Sequence, residues 1–344
     1  MQIVLFGVIL MPRDNNIFFC IEYTMSIPTK KVVLVTGGSG LVGQALQKIK
    51  SNYNYDFIFA TSKMCNLINY NEARDLFKKV RPNYVIHLAA NVGGLYKNMN
   101  QKLNMLEDNM QMNYHVLKCC YEFDVEKVIS CLSTCVFPDK TTYPINENML
   151  HDGPPHFSND AYAYSKRMLD IYSQMYREQH KKNFMCVIPT NIYGPHDNYH
   201  LEDAHVIPAL THQCYLAKQE GRDFVVRGDG KPLRQFIYSV DLVRLIMWTL
   251  EDYESNENLI LSVGEKDEVS IGDVAREIAK AMDYEGHMKF DDSFANGQYK
   301  KTADNTRLVK ELEKTGYSFN FTPLEKGICE SVEWFLENFS KCRK

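Results

Sequence analysis

Tyr162 and Lys166 are the first residues in this chain whose types and spacing could do chemistry together. On a helix, positions i and i+4 share a face, so the phenol and the ammonium can meet above one ligand. A phenol titrates near pH 10 in water, too high for proton traffic at neutral pH. A fixed cation beside it favours the phenolate and brings it towards the working range of a general acid. Tyr164, two positions on, points elsewhere. Such a pair is common on helix surfaces, so its meaning depends on what the rest of the chain builds around it.

Gly37, Gly40 and Gly43 supply the second chemical signal. They follow the apolar, β-branched run Lys31–Thr36 and precede the helical pattern Gln44–Lys50. A strand, a glycine turn and a helix N-terminus offer free N–H groups and a positive dipole end to a pyrophosphate. The second strand, Phe57–Thr61, runs into Ser62 and Lys63, where an NAD-specific site places an acidic residue about 20 positions after the glycines. A hydroxyl and a cation suit a 2′-phosphate, so NADP(H) is favoured over NAD(H).

The elements that must position these groups follow in alternation. A helical stretch (70–79), the strand Tyr84–Leu88 with small Ala89 and Ala90 behind it, and a long helical pattern (103–123) come first. A fourth strand (127–132) ends in Leu132 and Ser133, a Pro/Gly/Asn-rich loop spans 136–160, and the Tyr162 helix occupies roughly 161–179. The strand Phe184–Ile188 comes next. This predicts an α/β fold with a Rossmann-type doubly wound parallel sheet, ligands binding at the carboxyl ends of its strands. Residues 31–195 form that domain, with a return segment near 236–258. Residues 196–344 read mainly as a smaller α/β carboxyl-terminal substrate lobe, holding short strands near 224–226, 234–238 and 259–263, and a last helix near 323–339.

Composition narrows the function. A formal net charge of −4 gives no basic footprint for nucleic acid. No run reaches the roughly 18 apolar residues of a membrane span. Ten cysteines in 344 residues read as reduced thiols, in keeping with a cytoplasmic location. No cluster has metal-ligand spacing, so no metal is expected. Residues 1–30 precede the first good strand, and Met25 opens a second plausible start, so residues 1–24 read as a dispensable extension.

Thr36–Gly43, Ser133 and the Tyr162/Lys166 pair together resemble the extended short-chain dehydrogenase/reductase superfamily. Within it, 91–94, 133–138, 189–198 and 205–208 are similar to the GDP-L-fucose synthase family, the GDP-4-keto-6-deoxy-D-mannose 3,5-epimerase-4-reductases. The likeness runs from about Lys31 to the carboxyl terminus. It implies NADP(H) contacts from Gly37, Gly38, Ser39, Gly40, Leu41, Val42 and Gly43, and from Ser62, Lys63, Asn66 and Leu67. Ala89, Ala90, Leu132, Ser133, Tyr162 and Lys166 continue the set, and Pro189, Asn191, Ile192 and His205 complete it.

The same resemblance implies the chemistry. The substrate is a nucleotide-linked 4-ketosugar, GDP-4-keto-6-deoxy-D-mannose, whose C3 and C5 protons are acidified by the carbonyl. Cys135 is similar to the family's base, a role open to a thiol whose pKa is lowered. His205 resembles the acid that returns the proton. Ser133 would hold the carbonyl oxygen, Tyr162 would protonate the alkoxide formed on reduction, and Lys166 would assist Tyr162. Substrate contacts fall to Asn191, Gln213, Arg227, Arg234 and Asn296. Arg234 matches a diphosphate-binding arginine. The others include departures: Arg227 stands for a Trp, Gln213 for a basic residue and Asn296 for an Asp, while Asn66 replaces an Asp beside the adenine. A homodimer is implied, through the 103–123 and Tyr162 helices. The rivals are a related nucleotide-sugar 4-epimerase or 4,6-dehydratase, and a cofactor-binding scaffold without catalysis.

Overall fold

The computed structural model describes residues 30–293 and 299–344, together with the backbone of two short paired strands, Phe6–Gly7 and Tyr23–Thr24. The rest of the amino-terminal extension lies outside the described residues. β1 (Val32–Thr36) shows why the main sheet forms: Val33, Leu34 and Val35 are all fully buried, so the strand must be covered on both faces. Val33 and Val35 face one core with Leu46, Leu242 and Trp248. Leu34 faces the other, with Phe77, Leu117 and Phe184. The alternation is the period of two of an extended chain.

β2 (Asp56–Ala60), β3 (Tyr84–His87), β4 (Lys127–Cys131) and β5 (Asn183–Pro189) complete most of the sheet. The six-stranded order is Leu259–Leu261, β5, β4, β3, β1, β2, every neighbouring pair parallel. The chain leaves β1 for β2 on one side and returns to β3 on the other. The carboxyl ends of β1 and β3 therefore flank the crevice where such sheets bind ligands. α1 (Leu41–Ile49) covers one face of the sheet, and α2 (Tyr70–Val80), α3 (Lys102–Glu122) and α4 (Asp160–His180) cover the other.

Leu259–Val263 corrects the sequence expectation. Its strand, Leu259–Leu261, belongs to the main sheet, not to the smaller lobe. Its three residues are fully buried, and pairing with β5 gives them cover on both faces. The segment read as one strand over 234–238 is two, Leu233–Arg234 and Phe236–Tyr238. Gln235 separates them because its buried amide donates to the carbonyls of Val263 and Ala303 and accepts from Ala303 N–H. The helix Ser239–Glu251 packs Leu242, Leu245 and Trp248 against the α1 face of the sheet.

A third core gathers the helices Val206–Glu220, Ile271–Ala281 and Leu324–Asn338 around Tyr199, Phe224 and Phe335. From its far end Arg343 returns to the turn after Gly194. Tyr199 N–H donates to the Arg343 carbonyl at 2.7 Å, and the Arg343 guanidinium donates to the His196 carbonyl at 2.9 Å. Among the described residues, no helix is long and apolar enough to cross a membrane.

Candidate active site

The glycine turn is built to let a ligand approach the backbone. Gly37 adopts φ +72°, and a Cβ there would lie 2.8 Å from the Ala89 nitrogen. A Cβ on Gly43 would lie 2.6 Å from the carbonyl oxygens of both Gly37 and Gly38, so α1 sits directly on the turn. Gly40 caps α1 with no side-chain hydrogen bond, which leaves the first-turn N–H groups facing outward. These groups front a cavity of about 610 Å³, whose lining includes Gly37, Ser39–Gly43, Ala89, Ala90 and Asn191. A cradle closed to side chains and fronted by a helix N-terminus fits a dinucleotide diphosphate.

Most of the expected cofactor contacts line this cavity, including Ser62, Asn66, Leu67, Leu132, Pro189 and Ile192. Gly38 does not. It faces Phe59 behind the turn, and its N–H donates to the Ala60 carbonyl at 2.9 Å. Lys63 is exposed just past the rim, with no hydrogen bond or ion pair among the described residues.

Tyr162 and Lys166 lie side by side on α4 and both reach the cavity. The expectation that Lys166 draws the Tyr162 pKa down is not met in this geometry. Lys166 Nζ donates to the Cys131 carbonyl at 2.7 Å and stands 5.8 Å from the Tyr162 ring centroid. Burial holds the Tyr162 phenol well above its ordinary value, and burial lowers Lys166.

Ser133 and Cys135 leave the end of β4 in a short 3-10 turn. Ser133 caps it, its hydroxyl accepting from Cys135 N–H at 3.4 Å. Arg167 on α4 clasps the same turn by donating to the Val136 carbonyl at 2.6 Å. Burial pushes the Cys135 thiol up, opposed first by Lys301 and then by Ser133 and Lys166. His205 stands at the N-cap of Val206–Glu220 and faces the open cleft. It is exposed, and burial of the imidazole among its neighbours lowers its pKa. Ser133, Cys135, Tyr162, Lys166 and His205 thus share one cavity with the glycine turn.

Of the described members of the substrate set, only Asn191 lines the cavity. Gln213 sits on the His205 helix with a buried Oε1 lacking a partner. Arg234, on the strand Leu233–Arg234, is not part of the cavity lining; burial lowers its pKa, and Glu268 and Tyr143 oppose that. Arg227 ends the strand Phe224–Arg227, away from the cavity lining, and Asn296 lies outside the described residues.

Other groups were not among the expected site residues, although Asp197 and Asn198 lie in the 189–198 motif. His87 is fully buried 2.7 Å from Thr36 Oγ1 and 3.1 Å from Asn113 Oδ1, and Asn113 donates to the Ser165 carbonyl. Burial drives the His87 pKa down to about 3, so it is a neutral strut linking β1 to the Tyr162 helix. Asp197, Asn198, Asp203 and Arg343 also line the cavity. Arg343 comes from the carboxyl terminus, and nothing in its local sequence marks it.

The family described as NAD dependent epimerase/dehydratase matches residues 33–264. A GDP-L-fucose synthase of Dictyostelium discoideum is 53% identical, covering 92% of this chain and 98% of that protein. A probable GDP-L-fucose synthase of Drosophila melanogaster is 46% identical, covering 91% of this chain and 100% of that one. The crystal structure of a GDP-L-fucose synthetase from Naegleria fowleri bound to NADP superposes with a TM-score of 0.87 at 51% identity. That match covers 93% of this chain and 97% of the other. With its parallel sheet, glycine cradle and Tyr-Lys pair, the chain belongs to the NAD dependent epimerase/dehydratase family and, within it, to the GDP-L-fucose synthases.

Proposed function

We propose that this chain converts GDP-4-keto-6-deoxy-D-mannose to GDP-L-fucose in one site, by epimerisation at C3 and C5 and then reduction at C4. The observation that carries the reading is the joint placement of Cys135, His205, Ser133, Tyr162 and Lys166 on the cavity that the glycine turn also lines. Membership of the GDP-L-fucose synthases supports the substrate.

Cys135 removes a proton from the carbon next to the ketone: the C–H bond breaks, an S–H bond forms, and the electron pair moves onto the C4 oxygen. Ser133 donates a hydrogen bond to that oxygen as charge develops on it. His205 supplies a proton to the carbon from the opposite face, which inverts the centre. Cys135 then gives up its proton and His205 regains one by exchange with solvent, and the cycle serves C3 and C5 in turn. NADPH, when bound, supplies hydride to C4. Gly37, Gly40 and the first turn of α1 would hold its diphosphate, with Ser62 and Lys63 at the 2′-phosphate. Tyr162 then gives its proton to the C4 alkoxide, an ordinary direction of transfer for a buried phenol held in its neutral form. Lys166, fixed on the Cys131 carbonyl beside Tyr162, would position the ribose.

The test is incubation with the ketosugar and NADPH, with the product identified by NMR and the nicotinamide followed by absorbance. One NADPH consumed per GDP-L-fucose formed supports the proposal. A 4-epimerase or dehydratase would leave the NADPH level unchanged, and that result would overturn it.

A homodimer and a cytoplasmic location belong to the same proposal. Tyr114 and Tyr121 on α3 and Tyr164 and Met175 on α4 are exposed aromatic or apolar side chains on adjacent helices. Their burial against a second copy would give light scattering twice the monomer mass of 39.9 kDa. The described cysteines are all free, which favours a reducing compartment.

A further inference from the structure

A ligand carrying a diphosphate meets few positive charges in this cavity. Among the described residues that line it, those able to carry one are Lys166, His205 and Arg343. Lys166 is fixed on the Cys131 carbonyl, and His205 is held towards its neutral form. The first turn of α1 offers N–H groups and about half a charge. Arg343 remains, a guanidinium that stays protonated at any working pH and whose planar fork matches phosphate oxygens.

We propose that Arg343, brought in by the carboxyl-terminal tail, is the guanidinium that receives a ligand's diphosphate in this site. The proposal rests on the reading of the cavity as a nucleotide site. The tail is tied down by its backbone. After the helix Leu324–Asn338, the N–H groups of Lys341 and Cys342 both donate to the Asn338 carbonyl at 2.8 Å, and the chain turns back. Arg343 then pairs with Asn198 as an isolated parallel bridge, its carbonyl accepting from Tyr199 N–H at 2.7 Å. The Lys344 ammonium lies 3.3 Å from the Phe339 ring centroid. The receiving turn is held as well. His196 adopts φ +68° with its ring 4.4 Å from that of Trp334, and a Cβ on Gly194 would lie 2.2 Å from Ser239 Oγ.

The side chain is only partly committed. One terminal nitrogen donates to the His196 carbonyl at 2.9 Å, and the other guanidinium N–H groups have no hydrogen-bond partner among the described residues. Arg343 forms no ion pair among the described residues, although Asp108, Asp197 and Asp203 line the same cavity. Asp108 accepts from the Asn91 amide at 2.8 Å, Asp203 faces His200 at 3.9 Å, and burial favours the neutral form of Asp197. Arg343 therefore keeps its charge for an anion, and it is exposed, so a ligand in the cavity can reach it. Two diphosphates enter the proposed reaction, that of NADPH and that of the nucleotide sugar. The chemistry that a guanidinium recognises is the same in both.

The test uses the full chain and its Arg343→Gln and Arg343→Lys variants, with the urea midpoint reporting that each is folded. Glutamine can still donate to the His196 carbonyl but carries no charge, and lysine restores the charge. NADPH and GDP are the diphosphate probes, titrated separately. Adenosine 2′-monophosphate and guanosine are the matching probes without a diphosphate. Losing a hydrogen bond between charged groups weakens binding by about 10–100-fold. Arg343→Gln is expected to lose that much affinity for NADPH or for GDP, which identifies the ligand, while the matching probe binds as it does to the wild type. The affinity that remains should fall less steeply with salt, and Arg343→Lys should recover part of the loss. Unchanged affinity for both NADPH and GDP in Arg343→Gln would overturn the proposal. So would an equal loss for the probes with and without a diphosphate, which marks a displaced turn. Failure of the wild-type chain to bind either diphosphate probe would instead overturn the reading of the cavity as a nucleotide site.

Discussion

Replacing Gly43 by alanine tests the claim that the first turn of α1 and the glycine turn form one close-packed phosphate cradle. The added Cβ would stand 2.6 Å from the carbonyl oxygens of Gly37 and Gly38 and 2.7 Å from the carbonyl carbon of Gly38. All three are backbone atoms, so no side chain can swing away. Relief requires the turn to move by several tenths of an ångström, at an overpacking cost of about 1–3 kcal/mol. Alanine's better helix propensity returns about 0.5–1 kcal/mol. The net loss is about 1–2 kcal/mol in urea denaturation. The same displacement misaligns the N–H groups that face the diphosphate, and a hydrogen bond to a charged group contributes about 1.5–3 kcal/mol. NADPH should bind about 10–100-fold more weakly in a fluorescence titration. Gly40→Ala separates the two effects. Its Cβ meets only the Gly37 oxygen, at 3.3 Å, and Gly40 lines the cavity, so stability should hold while NADPH binding weakens. Gly221→Ala is the converse control: φ is +63° with no atom within 4 Å, so about 1 kcal/mol is lost and NADPH binding is untouched. Wild-type NADPH affinity in Gly43→Ala would refute the reasoning.

Four further outcomes are expected. Lys127→Met should cost about 1–3 kcal/mol in denaturation, because the buried ammonium donates to the Thr249, Leu250 and Tyr253 carbonyls at 2.6, 3.3 and 2.8 Å and nothing else is placed to replace it. Burial raises the Asp197 carboxyl from 3.8 to about 7, so the folded chain holds this proton more tightly than the unfolded one. The stability it contributes is complete below about pH 4 and is lost as pH rises through about 7, at most about 4 kcal/mol. Asp197→Asn should flatten that part of the urea-midpoint profile, and an unaltered slope would show the carboxyl to be ionised throughout. Cys135→Ser should abolish solvent deuterium exchange at C3 and C5. Tyr162→Phe should keep the exchange and lose most NADPH oxidation; loss of the exchange in Tyr162→Phe, or its persistence in Cys135→Ser, would mean the two steps are not divided between these residues.

The sequence by itself determined the chemistry-bearing elements, because their signals are local. A glycine turn between an apolar β-branched strand and a helix needs no distant partner to be recognised; β1 begins one residue after the expected Lys31, and α1 begins three residues before the expected Gln44. The Tyr162/Lys166 spacing also carries its own geometry, since the helix sets which side chains share a face. What only the tertiary structure decided are pairings across long stretches of chain. Leu259–Leu261 reads by its sequence as a strand of the smaller lobe, and it was the uncovered edge of β5 that claimed it. Gln235 split a continuous-looking strand because its amide found Val263 and Ala303. The electrostatics were beyond the sequence for the same reason: whether Lys166 serves Tyr162 or the Cys131 carbonyl, and whether Arg343 reaches the cavity that Tyr162 lines, depends on burial and on approach between residues far apart in the chain. Residue type and spacing define which protons can move, whereas desolvation and neighbouring charge, set by the packed fold, decide the pH at which they do.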